Sequence, residues 1–500
     1  MILIVLSQMN SMISFINVAN DSSCSSPSVN TCDFSQYICN KIVPENISAF
    51  SFTYVTEKEV IDVIRSLAPK KSMDHFGFTN ALVKETITYF VSPLTYLINC
   101  CMSSGIFPDV LKITKVHPIY KKGKKDEIGN YRPVAIVPVL SKVIELVVGK
   151  QLMNYFEINS LICKDQFGFR KGLSTTHAII SLVEKILDCY EKKDFAAVTF
   201  CDLSKAFDRV SHNILIKKLE HYSVKGVALD LFTSYLENRS QYVVLKNKVS
   251  DCKHVACGVP QGSVLGPLLF LVIINDINVN VPANIVLYAD DTTVITRNPE
   301  YNRLLENCKT NQNLVEKWLT ANNLILNNDK TNTVMFSLRE VPDMPKVDQH
   351  PKFLGLTFDS SLNWNQHVSQ VKNKLSSSIF ALKRLCGELE QTSIVQAYYG
   401  LFHSHMSYGL IAWGSSPHAH EVFVIQKKAI RIMAGVDQYY SCKELFKDFK
   451  ILTLYSLFIK QCLFYLRNNI NELNCRSDVH SYNTRYCSNI NLPQLTLFKI

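Results

Sequence analysis

Three aspartates are the residues best placed for chemistry in this 500-residue sequence. Asp202 closes the apolar run 196–201 in FCDLSKAFDRV, and Asp290 and Asp291 stand side by side in LYADDTTVI, between two apolar runs. Carboxylates at strand ends and turn tips can converge on Mg²⁺, a hard cation that takes oxygen ligands and needs few protein groups when substrate phosphates supply the rest. Two such ions about 3.5–4 Å apart can clamp the attacking and leaving oxygens of an in-line phosphoryl transfer. Aspartate is also favoured in ordinary turns, where it hydrogen-bonds its own backbone. Spacing alone leaves both readings open.

Strands and tight turns have to present these groups, and the patterning supplies them. Residues 196–201 read as a strand ending at Asp202, while 285–288 and 292–295 read as two strands around the turn that holds Asp290 and Asp291. Upstream, alternation over 116–120 runs into KKGKK, a strand leading to a basic hairpin tip. Helices are expected from Thr56, which with Glu59 makes a capping-box signature, and over 141–156, 176–192 and 213–222. Strands follow near 242–245 and 254–256, and GVPQGS then turns into an apolar helix over 264–276. A helix over 301–322, strands near 333–336 and 353–357, and a mainly helical pattern from about 368 complete the series. No repeat of fixed period occurs, so the expected class is α+β with helical additions.

Composition narrows the chemistry. Lys+Arg 53 against Asp+Glu 43 give a net charge of +10, and 47% hydrophobic residues with only 17 each of Gly and Pro exclude collagen and bulk disorder. At roughly 150 residues per domain the chain is about three domains long. Its longest apolar stretch, 264–274, is about half the ~20 residues of a spanning helix and contains Gly266 and Pro267, which argues against a channel or transporter. The 16 cysteines are scattered without CxxC pairs and read as reduced intracellular thiols. No Lys or Arg precedes Lys41, which argues against a signal-peptide n-region or transit peptide, although the opening MILIVL keeps a secretory reading open. The basic excess concentrates where Lys112, Lys115, Lys121, Lys122, Lys124, Lys125 and Arg132 face only Asp109, Asp126 and Glu127. Such a run suits either a solvated loop or a polyanionic partner.

The ordered blocks KVHPIYKKG, NYRPVAIVPVLSKVIE, QFGFRKGLSTTHA, CDLSKAFDRV, GVPQGSVLGPLLFLVIINDI, LYADDTTV, LNNDKT and FLGL together resemble the reverse transcriptases of non-LTR retrotransposons, LINE-like and jockey-like, over roughly 56–469. The resemblance implies a right-hand polymerase of fingers, palm and thumb, with an antiparallel-sheet palm and a helical thumb. It implies RNA-templated DNA synthesis, a nucleotidyl transfer from a dNTP to a primer 3′-hydroxyl, with Mg²⁺ as two ions and Mn²⁺ as an alternative. Asp202, Asp290 and Asp291 match the metal-binding catalytic carboxylates, and Lys330 matches the residue proposed to protonate the leaving pyrophosphate. Arg132 and either Lys121 or Lys122 match triphosphate contacts. Phe207 matches the aromatic against the nucleotide sugar, and Gln261 with Gly262 the templating-pair and nucleotide contact. Arg170 and Lys171 look like template-backbone contacts, and Phe353, Leu354 and Gly355 resemble the primer grip. Asp208 is read as structural, capping the segment before the next helix. Lys372, Lys374, Lys383, Arg384, Lys427, Lys428 and Arg431, interleaved with aromatics, suit a thumb over an A-form heteroduplex or amphipathic helices with snorkelling lysines.

The expected domains are a poorly ordered leader over 1–50, an N-terminal extension and fingers over 51–195, a palm over 196–358, a helical thumb over 359–470 and a C-terminal tail over 471–500, with the reverse transcriptase domain as a whole about 101–358. Fifty leader residues are too few for an apurinic-type endonuclease and no RNase H domain fits after the thumb, so endonuclease activity is expected from elsewhere. Cys475, His480 and Cys487 lack a fourth ligand and the spacing of a zinc knuckle, so no structural zinc is expected. Expected partners are an RNA template, a DNA primer, their RNA–DNA heteroduplex and dNTP, with no membrane. The expected location is a nuclear or cytoplasmic ribonucleoprotein, without an identifiable targeting signal. Two other readings stand beside the enzyme: a nucleic-acid-binding remnant that has lost turnover, and an RNA-dependent RNA polymerase, which Phe207 and the YADD form disfavour.

Overall fold

The computed structural model describes residues 34–38, 47–127, 130–246, 248–339 and 350–469. In chain order its principal helices are α1 (Glu57–Ser66), α2 (Asn80–Ser104), α3 (Val139–Ile158), α4 (Thr175–Glu191), α5 (His212–His221), α6 (Val227–Leu236), α7 (Leu265–Ile274), α8 (Tyr301–Ala321), α9 (Asn365–Leu385), α10 (Ala419–Ala434) and α11 (Leu454–Asn468). The strands are β1 (Ile113–Tyr120), β2 (Tyr131–Ile136), β3 (Phe195–Cys201), β4 (Ser240–Leu245), β5 (Lys248–Val249), β6 (Lys253–His254), β7 (Asn284–Tyr288), β8 (Asp291–Asn298), β9 (Asn332–Phe336), β10 (Lys352–Phe353) and β11 (Leu356–Thr357). The expected mixture of helix and sheet is present. The chain divides into two compact units: Met1–Gly172 with Cys201–Val294 and Asn307–Thr331, and Leu173–Phe200 with Ile295–Glu306 and Asn332–Ile500. Each unit gathers segments far apart in sequence.

In the first unit, local chemistry sets the helix ends. Thr56 Oγ1 accepts from the Glu59 amide at 3.4 Å and the Glu59 carboxylate accepts from the Thr56 amide at 2.9 Å, the reciprocal box read from the sequence. The patterning passes over α2, because Pro93 lies within it and proline normally ends a helical reading. It forms nonetheless, opened by Thr79, closed by left-handed Gly105, packed on α1, α3 and α6, and burying Val83, Ile87, Leu94 and Ile98. Helix α7 is buried on every face, as its uninterrupted apolar run requires. At its C-terminal end the buried Lys218 ammonium donates to the Ile273 carbonyl at 2.6 Å and pairs with Asp276 at 2.7 Å. That cation meets a carbonyl the helix leaves without an internal partner. A five-stranded sheet holds β2-β1-β4-β5 with β6 also on β4; β1 runs antiparallel to β2 and parallel to β4.

In the second unit β3 runs antiparallel to β9, from Ala196 opposite Phe336 to Phe200 opposite Asn332. The strand expected over 353–357 is instead a hairpin, because Leu354 and Gly355 both take positive φ and reverse the chain between β10 and β11. Phe200, Phe353, Phe358 and Trp364 pack around this hairpin. The helices expected from about 368 begin at Asn365, and α9 packs along α10. Buried Gln426 donates to Tyr398 Oη and the Leu452 carbonyl and accepts from the Leu454 amide, fixing α10 against the start of α11. No helix among the described residues is long and apolar enough to cross a membrane, and their cysteines are free thiols. Cys475, His480 and Cys487 lie outside the described residues.

Candidate active site

Asp202 leaves the end of β3 half-buried and is fixed through its own backbone. Its carbonyl accepts from the Asn327 amide at 2.8 Å, and its amide donates to Thr331 Oγ1 at 3.5 Å. The neighbouring pairing of Leu203 with Leu326 keeps this edge beside the LNNDKT turn. That turn brings Lys330 Nζ to 3.5 Å from Asp202 Oδ2, both side chains open to solvent. The lysine read as a proton donor therefore lies beside a candidate metal ligand.

Asp290 lies in the tight turn between β7 and β8 that the patterning predicts, and Asp291, expected in the same turn, is instead the first residue of β8. Ala289 before them adopts a left-handed φ of 57°. Burial and the Asp202 charge raise the Asp290 carboxyl above the usual range, while its own backbone amide and the cations Arg132 and Lys121 pull the other way. Asp291 is pushed up to about 6 by burial and then by Asp290 and Asp202, against Lys121. Its own surface is exposed, so the surrounding protein, rather than enclosure of the side chain, accounts for the loss of hydration. Three carboxylates thus repel one another across one site and two cations face them.

Those cations come from the β1–β2 hairpin, where Arg132 stands opposite Ile119 and the Lys121 amide donates to the Asn130 carbonyl at 2.8 Å. Both lysines that spacing left open are exposed, and the Lys121 charge lowers the Asp290 and Asp291 carboxyls.

A second group forms around Phe207. Its ring stacks on Phe270 at 4.7 Å and 25°, and the exposed Phe169 meets it edge-on at 6.3 Å. Gln261 is tied down twice: its carbonyl accepts from the Ala135 amide at 2.8 Å, and its Nε2 donates to Asp208 Oδ1 at 3.0 Å. Gly262, with φ of 136°, passes so close to β2 that a Cβ would stand 2.3 Å from the Ala135 carbonyl oxygen, so no other residue fits there. Asp208 does not cap the next helix. Ser211 does, its hydroxyl accepting from the Ile214 amide, whereas burial raises the Asp208 carboxyl and Gln261 partly offsets this.

Arg170 turns inward. It makes a two-pronged contact with Glu157 at 2.8 and 2.7 Å and donates to the carbonyls of Cys163 and Gln166, which engages four of its N–H groups. Lys171 beside it is exposed. Phe353, Leu354 and Gly355 form the β10–β11 hairpin of the second unit, where Tyr408 Oη donates to the Leu354 carbonyl. In the same unit Lys372 pairs with Glu421, Arg384 lies over Phe380, Lys427 lies over Phe423 and Arg431 donates to the Tyr440 carbonyl, so four of the seven basic residues read as a thumb surface also serve local packing.

Two supporting residues escape sequence reasoning. Glu145, fully buried, accepts from Ser141 Oγ and from the amides of Val264 and Leu265, and so caps α7 just after the Gln261 loop. Its signal was a charge set among Val143, Ile144, Val147 and Val148. Gln166 accepts from the Ala289 amide; a polar residue beside two phenylalanines was the only hint.

The donor set, carboxylate oxygens crowded enough to raise one another's protonation, has the chemistry that suits a hard divalent cation. Among the described residues no three His, Cys, Asp or Glu side chains converge closely enough to hold one as they stand.

A family model described as reverse transcriptase (RNA-dependent DNA polymerase) matches residues 119–358. Over 79% of its length the chain is 28% identical to the probable RNA-directed DNA polymerase from transposon X-element of Drosophila melanogaster, covering 46% of that protein. It is 27% identical, at the same coverage, to the RNA-directed DNA polymerase from mobile element jockey of that species. The probable RNA-directed DNA polymerase from transposon BS is similar at 26% identity. The chain spans less than half the length of these curated relatives.

Proposed function

We propose, from the premise that residues 119–358 form a reverse transcriptase domain, that this chain extends a DNA primer on an RNA template as part of a non-LTR retroelement. The primer 3′-hydroxyl gives up its proton to solvent and attacks the α-phosphorus of a dNTP, a new P–O bond forms, and the α–β bridge breaks to release pyrophosphate. The observation that carries this reading is the meeting of Asp202, Asp290 and Asp291 with Lys121 and Arg132. Acidic groups there suit metal ions, and the cations suit the triphosphate.

In this reading the β1–β2 hairpin belongs to the fingers, the Asp202 and Asp290 segments to the palm, and α9 to α11 to the thumb. Asp202 and Asp290, with Asp291 beside them, would hold two Mg²⁺ ions, or Mn²⁺, which supply charge stabilisation at the reacting phosphate. Arg132 and Lys121 grip the triphosphate. Phe207 lies against the sugar and excludes a 2′-hydroxyl, while Gln261, held by Asp208, lines the nucleotide beside Gly262. Lys330 protonates the leaving pyrophosphate. Phe353 to Gly355 place the primer end. We assign Arg170 to fastening its loop onto Glu157, which leaves Lys171 as the template contact. A nuclear or cytoplasmic ribonucleoprotein completes the proposal.

Primer extension on a poly(A)-type RNA template with Mg²⁺ tests it. Asp290→Asn, nearly isosteric but uncharged, should abolish extension and leave primer–template binding close to wild type, since a lost metal ligand removes several kcal/mol of charge stabilisation, about a hundredfold in rate or more. A variant that extends within about tenfold of wild type sinks the metal assignment. An inactive wild type that still binds would favour the decayed remnant.

A further inference from the structure

The turn that carries Asp290 and Asp291 is held from outside its own hairpin. Residues 165–168 lie along β7: the Leu287 amide donates to the Asp165 carbonyl at 2.9 Å, and the Phe167 amide donates to the Leu287 carbonyl at 2.9 Å. This pairing delivers Gln166, 1% exposed, to the base of the turn. Its side-chain oxygen accepts from the Gly168 amide at 2.8 Å and the Ala289 amide at 3.0 Å. Both neighbours are donors, so the amide oxygen and not the nitrogen must face them. Its Nε2 is buried without a hydrogen-bond partner. Such an arrangement costs stability, a cost that an apolar side chain of the same length would avoid.

The residue being held is the one whose backbone is unusual. Ala289 takes φ of 57°, a conformation that residues with a Cβ rarely adopt, immediately before Asp290. Gly168 closes the other side: a Cβ there would lie 2.3 Å from the Ala289 nitrogen. Arg170, clamped to Glu157 and to the carbonyls of Cys163 and Gln166, anchors the same loop on α3.

We propose that Gln166 is a positioning residue for the candidate catalytic centre, pinning Ala289 in its left-handed conformation so that Asp290 and Asp291 project together from a fixed turn. The Asp165–Arg170 loop then acts as a splint on the hairpin rather than as a nucleic-acid contact alone. The inference rests on Asp290 being catalytic.

The test compares Gln166→Met, which keeps length but offers no acceptor, with Gln166→Glu, which keeps an acceptor oxygen at the same reach. Gln166→Met should lower kcat by about a hundredfold, the scale of a small misplacement of reacting groups. KM for dNTP and the primer–template Kd should stay near wild type. In the metal-free protein, amide hydrogen exchange over 288–291 should quicken by about fivefold while the rest of the chain is unchanged. Gln166→Glu should recover most of both losses. Gly168→Ala, which displaces Ala289 directly, should reproduce the defect and decides the matter if Gln166→Met does not fold. Wild-type kcat in a folded Gln166→Met, with or without faster exchange, overturns the inference. So does a decline of kcat, affinity and global exchange protection together, the mark of general destabilisation. An active Asp290→Asn removes the catalytic reading, and this inference with it. An inactive Asp290→Asn beside a fully active Gln166→Met removes the inference alone.

Discussion

Phe207 shows how one side chain can be both core and gate. Its stack on Phe270 supports one face while the ring stays half-buried, so the aromatic is braced without being enclosed. If it excludes a 2′-hydroxyl, Phe207→Val should admit ribonucleotides, lowering discrimination by about thirty- to two-hundredfold, ~2–3 kcal/mol. Single-nucleotide incorporation of matched deoxy- and ribonucleotides measures this. Equal losses for both substrates would mark a packing role instead. His367 in the second unit carries a pH dependence of stability. Burial, then Lys374 and Lys352, lower its pKa to about 4, and the Thr357 amide donates to its Nδ1. The fold therefore favours the neutral ring, and the unfolded chain takes up the proton first as pH falls through about 6.5. Stability from this group is fully present above that value and declines toward about pH 4, by about 2 kcal/mol between pH 7 and pH 5. Denaturant titrations at those two pH values should show a smaller difference in His367→Gln; parallel profiles would exclude this origin.

At the scale of elements, α7 depends on a cap from another helix. Val264 offers no capping side chain; Ser263 Oγ accepts from the Gly266 amide, but the amides of Val264 and Leu265 rely on Glu145 of α3. Glu145→Gln keeps acceptors but loses the charge at a helix N-terminus, and should cost about 1–2 kcal/mol. Glu145→Ala, which leaves buried amides unpaired, should cost about 3 kcal/mol. Because Gln261 and Gly262 lead directly into α7, KM for dNTP should rise in both variants. Urea midpoints and steady-state kinetics check the pair of effects, and an alanine variant within about 0.5 kcal/mol of wild type would show that the cap is dispensable.

Across the whole molecule the net charge of +10 matters less than where it lies. Lys121, Lys122, Lys124 and Lys125 project from the hairpin that faces the acidic centre, whereas Lys427 and Arg431 are engaged in packing. Each phosphate contact contributes about −0.7 to −0.9 to the slope of log K against log salt. Replacing the four hairpin lysines by alanine should flatten that slope by about two or more, and more than replacing Lys427, Lys428 and Arg431. Anisotropy titrations of a primer–template over a salt series measure it. An unchanged slope would place the hairpin tip in solvent.

Local pattern was enough to locate the strand before Asp202, the turn around Asp290 and Asp291 and the capping box at Thr56, because each depends on periods or turn chemistry within a few residues. The ordered motifs were enough for the resemblance to reverse transcriptases, which a family model over residues 119–358 matches. Only the tertiary structure decided what the supporting side chains touch. Asp208 meets Gln261 53 positions away, Glu145 meets Val264 119 away, and Gln166 meets Ala289 123 away. It also turned Arg170 inward to Glu157 and carried α2 through Pro93. The reason is physical: backbone conformation follows from neighbours along the chain, whereas the partner of a buried polar group is whichever donor or acceptor the fold brings to it, and that depends on the packing of every element between them.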